Sequence, residues 1–574
     1  QFVDYRDLAE RHLGTIYEGL LEFHLEALSE PEDGWTVTLL DDNGERHATG
    51  SYYTPDFVVK YIVEATVDPM LREAVENAKT DPEKVDAVLG LNVLDPSMGS
   101  GHFLVEVTER IARFLVELGV PPEEVEAEAE LAYWKRRVVQ SCVYGVDLNP
   151  LAVDLAKLSL WLATVARDRP LSFLDHHLRT GNSLVGAHTD DLRPAEKKKR
   201  KKTAGDGGQL SMLEDDTFRR TVSNAVGNIW LIEGSSADTV DDVKEQERLY
   251  GQLRDGLNRR YARLADLATA THFGVEVDRS LWTPLADYAT KGGIAAPPQF
   301  DAWLHAADEA ARERRFFHWE LEFPEVFFDG QGRPLGDGAG FDAVVGNPPY
   351  VRQESLGDLK PYLAGAYPET YHGVADLYVY FYGQGLRQLR RGGRMGYIVT
   401  NKWLRAGYGE PLRGFFAAEG ALEEIVDFGH APIFPDADVF PCIVVLKKPE
   451  PAEPADAEVR VVEFPREALK ENADLTGYIA AHAHNVPRKR FGKNAWSLET
   501  AAVDDLMAKI RENGVPLTEY AGVKPYRGVL TGLNEAFLID TATKDRLVRE
   551  DPRSAEVIKP YLRGQDIKRW SPEW

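Results

Sequence analysis

The chain has 574 residues, of which 93 are acidic and 67 are basic, so its formal net charge at pH 7 is −26. This length allows two or three domains, each with its own core. Only two cysteines are present, which excludes a disulfide framework and a cysteine-based zinc site. The apolar runs are strand-sized and the first residues show no signal peptide, so we expect a cytoplasmic protein without a membrane-spanning segment.

Residues 1–48 are predicted to form a helical lead-in. Apolar side chains recur there at helical spacing, at Leu8, Leu13, Ile16, Tyr17, Leu20, Leu21 and Leu25. From residue 49 to residue 450, strand and helix patterns alternate, which predicts an α/β domain with a mostly parallel sheet. A charged, mainly helical insertion is expected between residues 187 and 320. Such an insertion can clamp DNA or bind a partner, but it is more often a surface elaboration.

A glycine-rich turn follows the first strand of this domain. Residues 91–103 read Leu-Asn-Val-Leu-Asp-Pro-Ser-Met-Gly-Ser-Gly-His-Phe, and helical apolar spacing continues to Leu118. Glycines let a ligand approach the backbone, and the helix N-terminus adds a favourable field. The spacing differs from the dinucleotide-binding G-x-G-x-x-G pattern. The Asp95-Pro96 opening suits S-adenosylmethionine instead, with Asp95 near its ammonium group.

A second strand, residues 141–147, ends in an acid. Pro150 and a helix over residues 151–162 follow it. Open α/β sheets bind ligands at the carboxyl ends of their strands. Asp147 is therefore a candidate acceptor for two ribose hydroxyls, and an ordinary helix N-cap region is the alternative.

A third strand-like run, residues 341–345, ends at Gly346-Asn347-Pro348-Pro349-Tyr350. The Asn347 side-chain oxygen and the Pro348 carbonyl can accept both hydrogens of an exocyclic amine. Tyr350 can stack on the ring that carries this amine, so the site would act by positioning and electrostatics. The simpler alternative is a strand that stops at a Pro-Pro turn.

Further motifs accompany these three segments in a fixed order. They are Gly-Ser-Tyr-Tyr-Thr-Pro at 50–55, Gly-Asn-Ser-Leu at 181–184, the helix and strand patterns at 376–381 and 392–401, and the loop at 433–439 before the apolar strand 442–446. With these motifs the chain resembles the gamma class of adenine-N6 DNA methyltransferases. It is most similar to the methylase portion of type IIG restriction–modification enzymes and of BREX or DISARM phage-defence enzymes. The likeness covers residues 10–185 and 315–450.

The resemblance implies a class I Rossmann-like methyltransferase fold that uses S-adenosylmethionine to methylate a flipped adenine, without a metal. The cofactor-binding positions of the family fall on Thr54, Asp95, Ser97, Gly99, Gly101, Phe103, Asp147, Leu148, Asn182 and Ser183. The catalytic positions fall on Asn347, Pro348 and Tyr350, and the base-stacking positions on Tyr350 and Phe434. Many members carry Asp where this chain has Asn182, but an Asn can still hydrogen-bond an adenine amino group.

The C-terminal part is predicted to contact DNA. Residues 451–500 are expected to form a linker, and residues 501–574 resemble the beginning of a target-recognition domain. Lys524, Arg527 and Arg563 are its candidate phosphate contacts. The expected partners are double-stranded DNA and proteins of a defence system, with no membrane. Because the total charge is acidic, DNA binding requires a segregated basic surface, for which the runs 387–394 and 488–493 are candidates.

Three other functions remain open. An N4-cytosine methyltransferase uses closely related chemistry, but a Ser at the position of Asn347 would be the residue that favours this alternative. A protein-glutamine methyltransferase also uses Asn-Pro-Pro-Tyr but lacks the other motifs. A non-catalytic specificity subunit would not need Asp95 or Asp147. Cys442 follows a proline, as in cytosine-C5 methyltransferases, but its apolar neighbours predict a buried strand residue.

Overall fold

The computed structural model describes residues 23–28, 36–41, 54–76, 78–122, 125–126, 129–166, 169–192, 216–235, 237–291, 297–429, 431, 433–434, 439–451, 457–465, 474–522, 538–562, 567–568 and 571–572. The chain forms two compact units, Gln1–Ala501 and Ala502–Trp574. Within the described residues, no helix combines the length and the apolar character needed to cross a membrane.

The lead-in contains strands where a helix is predicted. β1 (Phe23–Leu28) pairs antiparallel with β2 (Thr36–Asp41). The sequence of β1, Phe-His-Leu-Glu-Ala-Leu, alternates apolar and polar residues over its first five positions, and this period of two is a strand pattern. The helix prediction is therefore wrong for these two segments, and the rest of 1–48 lies outside the described residues.

The first unit is built on a nine-stranded sheet. Its strands are β3 (Val93–Asp95), β4 (Val143–Asp147), β5 (Leu178–Thr180), β6 (Phe341–Gly346), β7 (Leu389–Thr400), β8 (Ala421–Asp427), β9 (Pro441–Lys447), β10 (Glu458–Glu463) and β11 (His484–Pro487). Their spatial order is β11-β10-β8-β9-β7-β6-β3-β4-β5. β9 is antiparallel to both of its neighbours and β11 is antiparallel to β10, while the other neighbouring pairs are parallel. In the part of the sheet that runs from β5 to β8, the strand β9 is antiparallel to its neighbours β7 and β8, and the other strands are parallel. This arrangement confirms the predicted class I Rossmann-like methyltransferase fold.

Helices cover both faces of this sheet. The helices of the unit are α1 (Asp56–Glu76), α2 (Asp81–Leu89), α3 (His102–Glu117), α4 (Glu130–Ser141), α5 (Pro150–Ala163), α6 (Asp216–Gly234), α7 (Val240–Leu257), α8 (Arg263–Ala270), α9 (Trp282–Lys291), α10 (Pro298–Arg314), α11 (Trp319–Glu322), α12 (Pro324–Phe327), α13 (Leu359–Ala366), α14 (Tyr378–Gln388), α15 (Glu410–Glu419) and α16 (Leu475–His482). Successive residues of a strand point to opposite faces. Accordingly, Ala343 and Val345 join a core with α1, α3 and α4, whereas Val344 joins a core with α13, α14 and α15.

Helices α6–α10 lie within the predicted insertion and have a separate core. Its members include Phe218, Tyr261 and Leu304. α11 and α12 then lead the chain back to β6. The insertion therefore separates β5 from β6 in sequence. In the sheet, β3 and β4 lie between these two strands.

The predicted linker between 451 and 500 is wrong for its described residues. β10 extends the sheet parallel to β8, and β11 pairs with β10. Val459, Val461 and Val462 of β10 are buried. The prediction gave weight to the proline-rich and acidic stretch before Glu458, but the apolar pattern after it forms a strand between β8 and the edge strand β11.

The second unit is helical over most of its described residues. Its elements are α17 (Ala501–Asn513), α18 (Leu517–Ala521), α19 (Thr541–Glu550), α20 (Ser554–Val557), β12 (Ile567–Lys568) and β13 (Ser571–Pro572). Its assignment as a target-recognition domain stays a prediction. Lys524, Arg527 and Arg563 lie outside the described residues.

Candidate functional site

Three of the predicted polar residues lie at the carboxyl ends of adjacent parallel strands. Asp95 ends β3, Asp147 ends β4, and Asn347 follows β6 on the other side of β3. A Cβ atom added to Gly346 would lie 2.8 Å from Asp95 Oδ1. The Gly99 N–H donates to Asp147 Oδ2 over 2.9 Å, which places the glycine-rich turn between the first two strands. The residues that the sequence singles out therefore surround one edge of the sheet.

The glycine-rich turn is held by backbone hydrogen bonds. Met98 N donates to Val146 O over 3.1 Å, and Gly101 N donates to Met98 O over 2.8 Å. Gly101 has φ of 85° and precedes α3. A Cβ atom at this position would lie 3.0 Å from the Cβ of Ala156 in α5. Glycine is thus required here both for the left-handed backbone and for the close approach of α5.

Asp95 is a buried acid beside a second acid. Burial raises the pKa of Asp95 to about 8, the Ser97 N–H partly counteracts this, and the nearby Asp147 raises the pKa further. The Ser97 N–H donates to Asp95 Oδ1 over 3.0 Å. An ionised carboxylate in such a place is stabilised by a cationic group of a ligand. The site therefore fits the ammonium group of an amino-acid moiety.

Asp147 is held in one orientation by two backbone donors. Besides Gly99, the Asn149 N–H donates to Asp147 Oδ1 over 2.8 Å. Burial raises the pKa of Asp147, while these two hydrogen bonds and the charge of Arg315 lower it. A carboxylate offers about four acceptor positions. Two of them remain for the vicinal hydroxyls of a ribose.

Arg315 is a residue that the sequence analysis missed. It follows α10 at the end of the insertion, has φ of 53°, and donates through its guanidinium to the Leu148 carbonyl. Its backbone carbonyl accepts from Asn182 N over 2.6 Å. Arg315 therefore contacts two of the predicted cofactor segments. It is 167 residues away from Leu148 in sequence, and no local motif marks it.

Asn347 is linked to the segment that precedes α1. Its Nδ2 donates to Thr54 Oγ1 over 3.1 Å, although 293 residues separate the two. Thr54 is buried, and so is Pro348, which follows Asn347 in the chain. The hydroxyl of Thr54 is predicted to touch a cofactor. Its position shows a further role, because it contacts one end of the Asn347 carboxamide.

Tyr350 and Phe434 lie next to each other. Their ring centroids are 6.3 Å apart at an interplanar angle of 70°, an edge-to-face contact. The Tyr350 hydroxyl donates to the Ile398 carbonyl over 3.4 Å. A base stacked between two parallel rings needs about 7 Å between them. In this arrangement the rings leave no such gap, so stacking by Phe434 requires its ring to move, and its role stays a prediction.

The remaining predicted cofactor residues differ in what their side chains do. Ser183 is buried and donates to Pro96 O over 2.6 Å, so it ties the 181–184 turn to the glycine-rich turn. Asn182 Oδ1 accepts from Leu184 N over 3.2 Å. Leu148 is half-exposed, whereas Phe103 is buried in the core beneath α3. A side-chain contact between Phe103 and a ligand is therefore not supported.

The basic run 387–394 serves the fold rather than supplying a surplus of positive charge. Each of its arginines pairs with an acid: Arg387 with Glu369, Arg390 with Asp342, Arg391 with Asp337, and Arg394 with Glu73 and Glu423. In the second run, the Arg488 guanidinium donates to Leu422 O over 2.9 Å. The acid partners do not favour the first run as the main phosphate-binding surface, and the second run stays a candidate.

Cys442 has the environment of a core residue. It is fully buried in β9, and burial raises the pKa of its thiol well above the usual range. A nucleophilic cysteine needs the thiolate form. The alternative of a cysteine nucleophile is therefore disfavoured, as the sequence predicts.

Two family models match this chain. The model of the Eco57I restriction-modification methylase matches residues 141–434, which is more than half of the chain, and the N-6 DNA Methylase model matches residues 38–196. Together they include every described residue of the site, from Thr54 to Phe434.

Individual relatives share parts of the sequence. The type II methyltransferase M.XhoI of Xanthomonas vasicola is 34% identical over 41% of this chain and 43% of its own length. The type II methyltransferase M.PaeR7I of Pseudomonas aeruginosa is 33% identical over 41% of this chain and 40% of its own length. The adenine-specific methyltransferase PglX of Streptomyces coelicolor is 26% identical over 38% of this chain and 18% of its own length. The chain thus spans less than half the length of each of these relatives.

We predict that Gly346→Ala lowers stability by about 1–3 kcal/mol and displaces the Asp95 carboxylate. The reason is that the added methyl meets Asp95 Oδ1 at 2.8 Å, at a residue whose φ is 154°. Chemical denaturation measures the loss. Gly251→Ala is the matched control, because nothing lies within 4 Å of the added atom in α7, and alanine in a helix is stabilising. Equal stability of Gly346→Ala and wild type would contradict the close packing of β6 on Asp95.

Proposed function

This chain belongs to the family of Eco57I restriction-modification methylases, and from this premise we propose that it transfers a methyl group from S-adenosylmethionine to N6 of a flipped adenine in DNA. The observation that carries the proposal is the meeting of Asp95, Asp147 and Asn347 at the ends of three adjacent strands. Two acids there suit the cationic and ribose parts of the cofactor. The amide beside them suits the amine that receives the methyl group.

The cofactor-binding part is supported by buried acids and by the glycine-rich turn at the same edge of the sheet. We assign Asp95 to the ammonium group, since its burial makes an unpaired negative charge unfavourable. We assign Asp147 to the ribose hydroxyls, because it lies at the strand end. Thr54, Ser97, Gly99, Gly101, Leu148, Asn182 and Ser183 complete the proposed binding surface. When bound, S-adenosylmethionine supplies an electrophilic methyl group on its sulfonium.

The catalytic part acts on a weak nucleophile. The adenine amine is conjugated with its ring, so its nitrogen lone pair is poorly available. The Asn347 side-chain oxygen and the Pro348 carbonyl would each accept one N–H hydrogen and favour a pyramidal nitrogen. The bond from Asn347 Nδ2 to Thr54 supports this assignment, because it directs the donor end of the amide toward Thr54. Fixed acceptors at a developing charge are an effective source of rate enhancement.

The target base has to leave the duplex before it can reach this site. Flipping costs about a few kcal/mol, and stacking on an aromatic ring returns about 1–3 kcal/mol. Tyr350 is the proposed stacking partner, and Phe434 would join it after the ring movement described above. Adenine is favoured over cytosine by the N-6 DNA Methylase model and by the description of PglX.

We place this reaction in restriction–modification or phage defence, with double-stranded DNA as the partner. The family model and the names of the relatives support this setting. Lys524, Arg527 and Arg563 stay the proposed phosphate contacts. Protein partners from the same defence system belong to this proposal, as does a cytoplasmic location.

We predict that Asn347→Ala lowers methyl transfer by at least about 100-fold, because it removes one acceptor from the amine. Binding of S-adenosylmethionine should persist. The assay is transfer of radiolabelled methyl to DNA that lacks adenine methylation, followed by mass spectrometry of the nucleosides. Asn485→Ala at the far sheet edge is the control. Retained transfer by Asn347→Ala overturns its role, and N4-methylcytosine as the product overturns the base assignment.

We predict that Asp147→Ala weakens S-adenosylmethionine binding by about 10–100-fold, since hydrogen bonds to a charged group contribute about 1.5–3 kcal/mol. Isothermal titration calorimetry measures the affinity. Asp154→Ala on the exposed side of α5 is the matched control. Thermal unfolding of both variants checks their folding, and an unchanged affinity for Asp147→Ala argues against the ribose assignment.

We predict that DNA binding by the full-length protein weakens steeply with salt. Cations that contact phosphates release counterions, so the logarithm of the affinity falls linearly with the logarithm of the salt concentration. Fluorescence anisotropy with labelled duplex DNA from 50 to 200 mM salt measures the slope. A flat response would point to a protein partner rather than DNA.

A further inference from the structure

A second polar cluster lies away from the proposed catalytic edge, between the sheet and the insertion. It consists of His177, which precedes β5, Glu233 near the end of α6, and Glu325 in α12. His177 Nε2 lies 3.2 Å from Glu233 Oε1 and 3.7 Å from Glu325 Oε1. One ligand atom from each of the three residues lies within 4.8 Å of the other two. Residues far apart in sequence thus direct one nitrogen and two carboxyl groups at a common point.

The cluster is enclosed. The side chains of His177, Glu325 and Glu233 are 1%, 4% and 18% exposed. The ring of Tyr144 in β4 stacks on His177 with centroids 3.7 Å apart and closes one side. Among the described residues, both carboxyl oxygens of Glu325 and the Tyr144 hydroxyl lack a hydrogen bond of full geometry, although the Tyr144 hydroxyl is close enough to Glu233 and Glu325 to lower their pKa values. A buried carboxyl with no donor is unfavourable unless another positive or polar group satisfies it.

Burial also disfavours charge on each member of the cluster. It raises the pKa of Glu233 to about 8 and the pKa of Glu325 well above its usual range, and it lowers the pKa of His177 to about 3.

We propose that His177, Glu233 and Glu325 bind a divalent transition-metal ion, with zinc as the best fit. Zinc takes His nitrogen and carboxylate oxygen ligands at about 2.0–2.2 Å in a tetrahedron, which separates ligand atoms by about 3.3–3.6 Å. The two observed distances from His177 Nε2, 3.2 and 3.7 Å, lie within about 0.1 Å of this range, and the two carboxyl oxygens lie within 4.8 Å of each other. The Tyr144 hydroxyl lies beside both carboxyls, where it can donate to an oxygen that the ion leaves free.

The role of this ion is structural. His177 belongs to the segment before β5, next to the strand that carries Asp147, whereas Glu233 and Glu325 belong to the insertion and the segment that leads out of it. Metal binding to residues from different segments stabilises the folded state. The ion would fasten the insertion to the amino end of β5, at the opposite end of the strands from Asp95 and Asp147. It takes no part in methyl transfer, so its presence and the proposed reaction are tested separately.

The test measures metal content and its effect on stability. The full-length protein, freed of any purification tag, is loaded with Zn²⁺, desalted and analysed by inductively coupled plasma mass spectrometry. Wild type should retain one zinc per chain. Removal of zinc with a chelator should lower the Tm, and renewed addition of Zn²⁺ should restore it. Wild type that retains no transition metal after loading overturns the proposal.

Isosteric variants separate ligand loss from general damage. Glu325→Gln and Glu233→Gln should each weaken zinc binding by more than about tenfold, and the Tm of each should no longer respond to Zn²⁺. Glu320→Gln is the matched control. It lies in the neighbouring helix α11, and it loses an interaction with Thr189 but no proposed ligand. If Glu325→Gln retains as much zinc as wild type, the proposal is also overturned. That result would mean that Glu233 and Glu325 are neutral carboxylic acids without a metal, since an amide can replace a neutral acid.

Discussion

The burial of two acids at neighbouring strand ends is the constraint on which the site depends. Asp95 and Asp147 end β3 and β4, and the proximity of Asp147 raises the pKa of Asp95. Backbone N–H groups of the following turns compensate part of this unfavourable burial, because they donate to both carboxyls. The turn must therefore curl back over the strand ends. Its backbone can do so because Gly99 and Gly101 adopt positive φ.

The same edge is stabilised from the other side by β6. Gly346 has no side chain, and β6 can approach Asp95 for that reason. Thr54 then contacts Asn347, so the segment before α1 and the end of β6 hold each other in place. The amide acceptor and the acids are thus positioned by different parts of the chain. Since catalysis by fixed acceptors depends on prior orientation, this shared packing is what makes the proposed chemistry reasonable.

The insertion is more closely tied to this edge than a surface elaboration would be. Arg315 reaches the Leu148 carbonyl and influences Asp147, and its own carbonyl accepts from Asn182. Glu233 and Glu325 meet His177 beside β5. The contacts of Arg315 lie at the carboxyl ends of β4 and β5, whereas His177 precedes β5 at its amino end. The position of the insertion is therefore coupled to the two turns that the proposed cofactor would touch.

The sequence by itself determined the fold class and the short motifs of the site. Apolar runs that end in Asp95, Asp147 and Asn347 are local patterns, and parallel strands bring such ends to one edge. Tertiary structure alone decided the pairing of Thr54 with Asn347, the approach of Arg315, the closed contact of Tyr350 with Phe434, and the meeting of His177 with two glutamates. It also turned part of the predicted linker into the last two strands at one side of the sheet, β10 and the edge strand β11. These contacts join residues far apart in the chain, and their geometry depends on how whole layers pack, which no periodicity or spacing within a segment encodes.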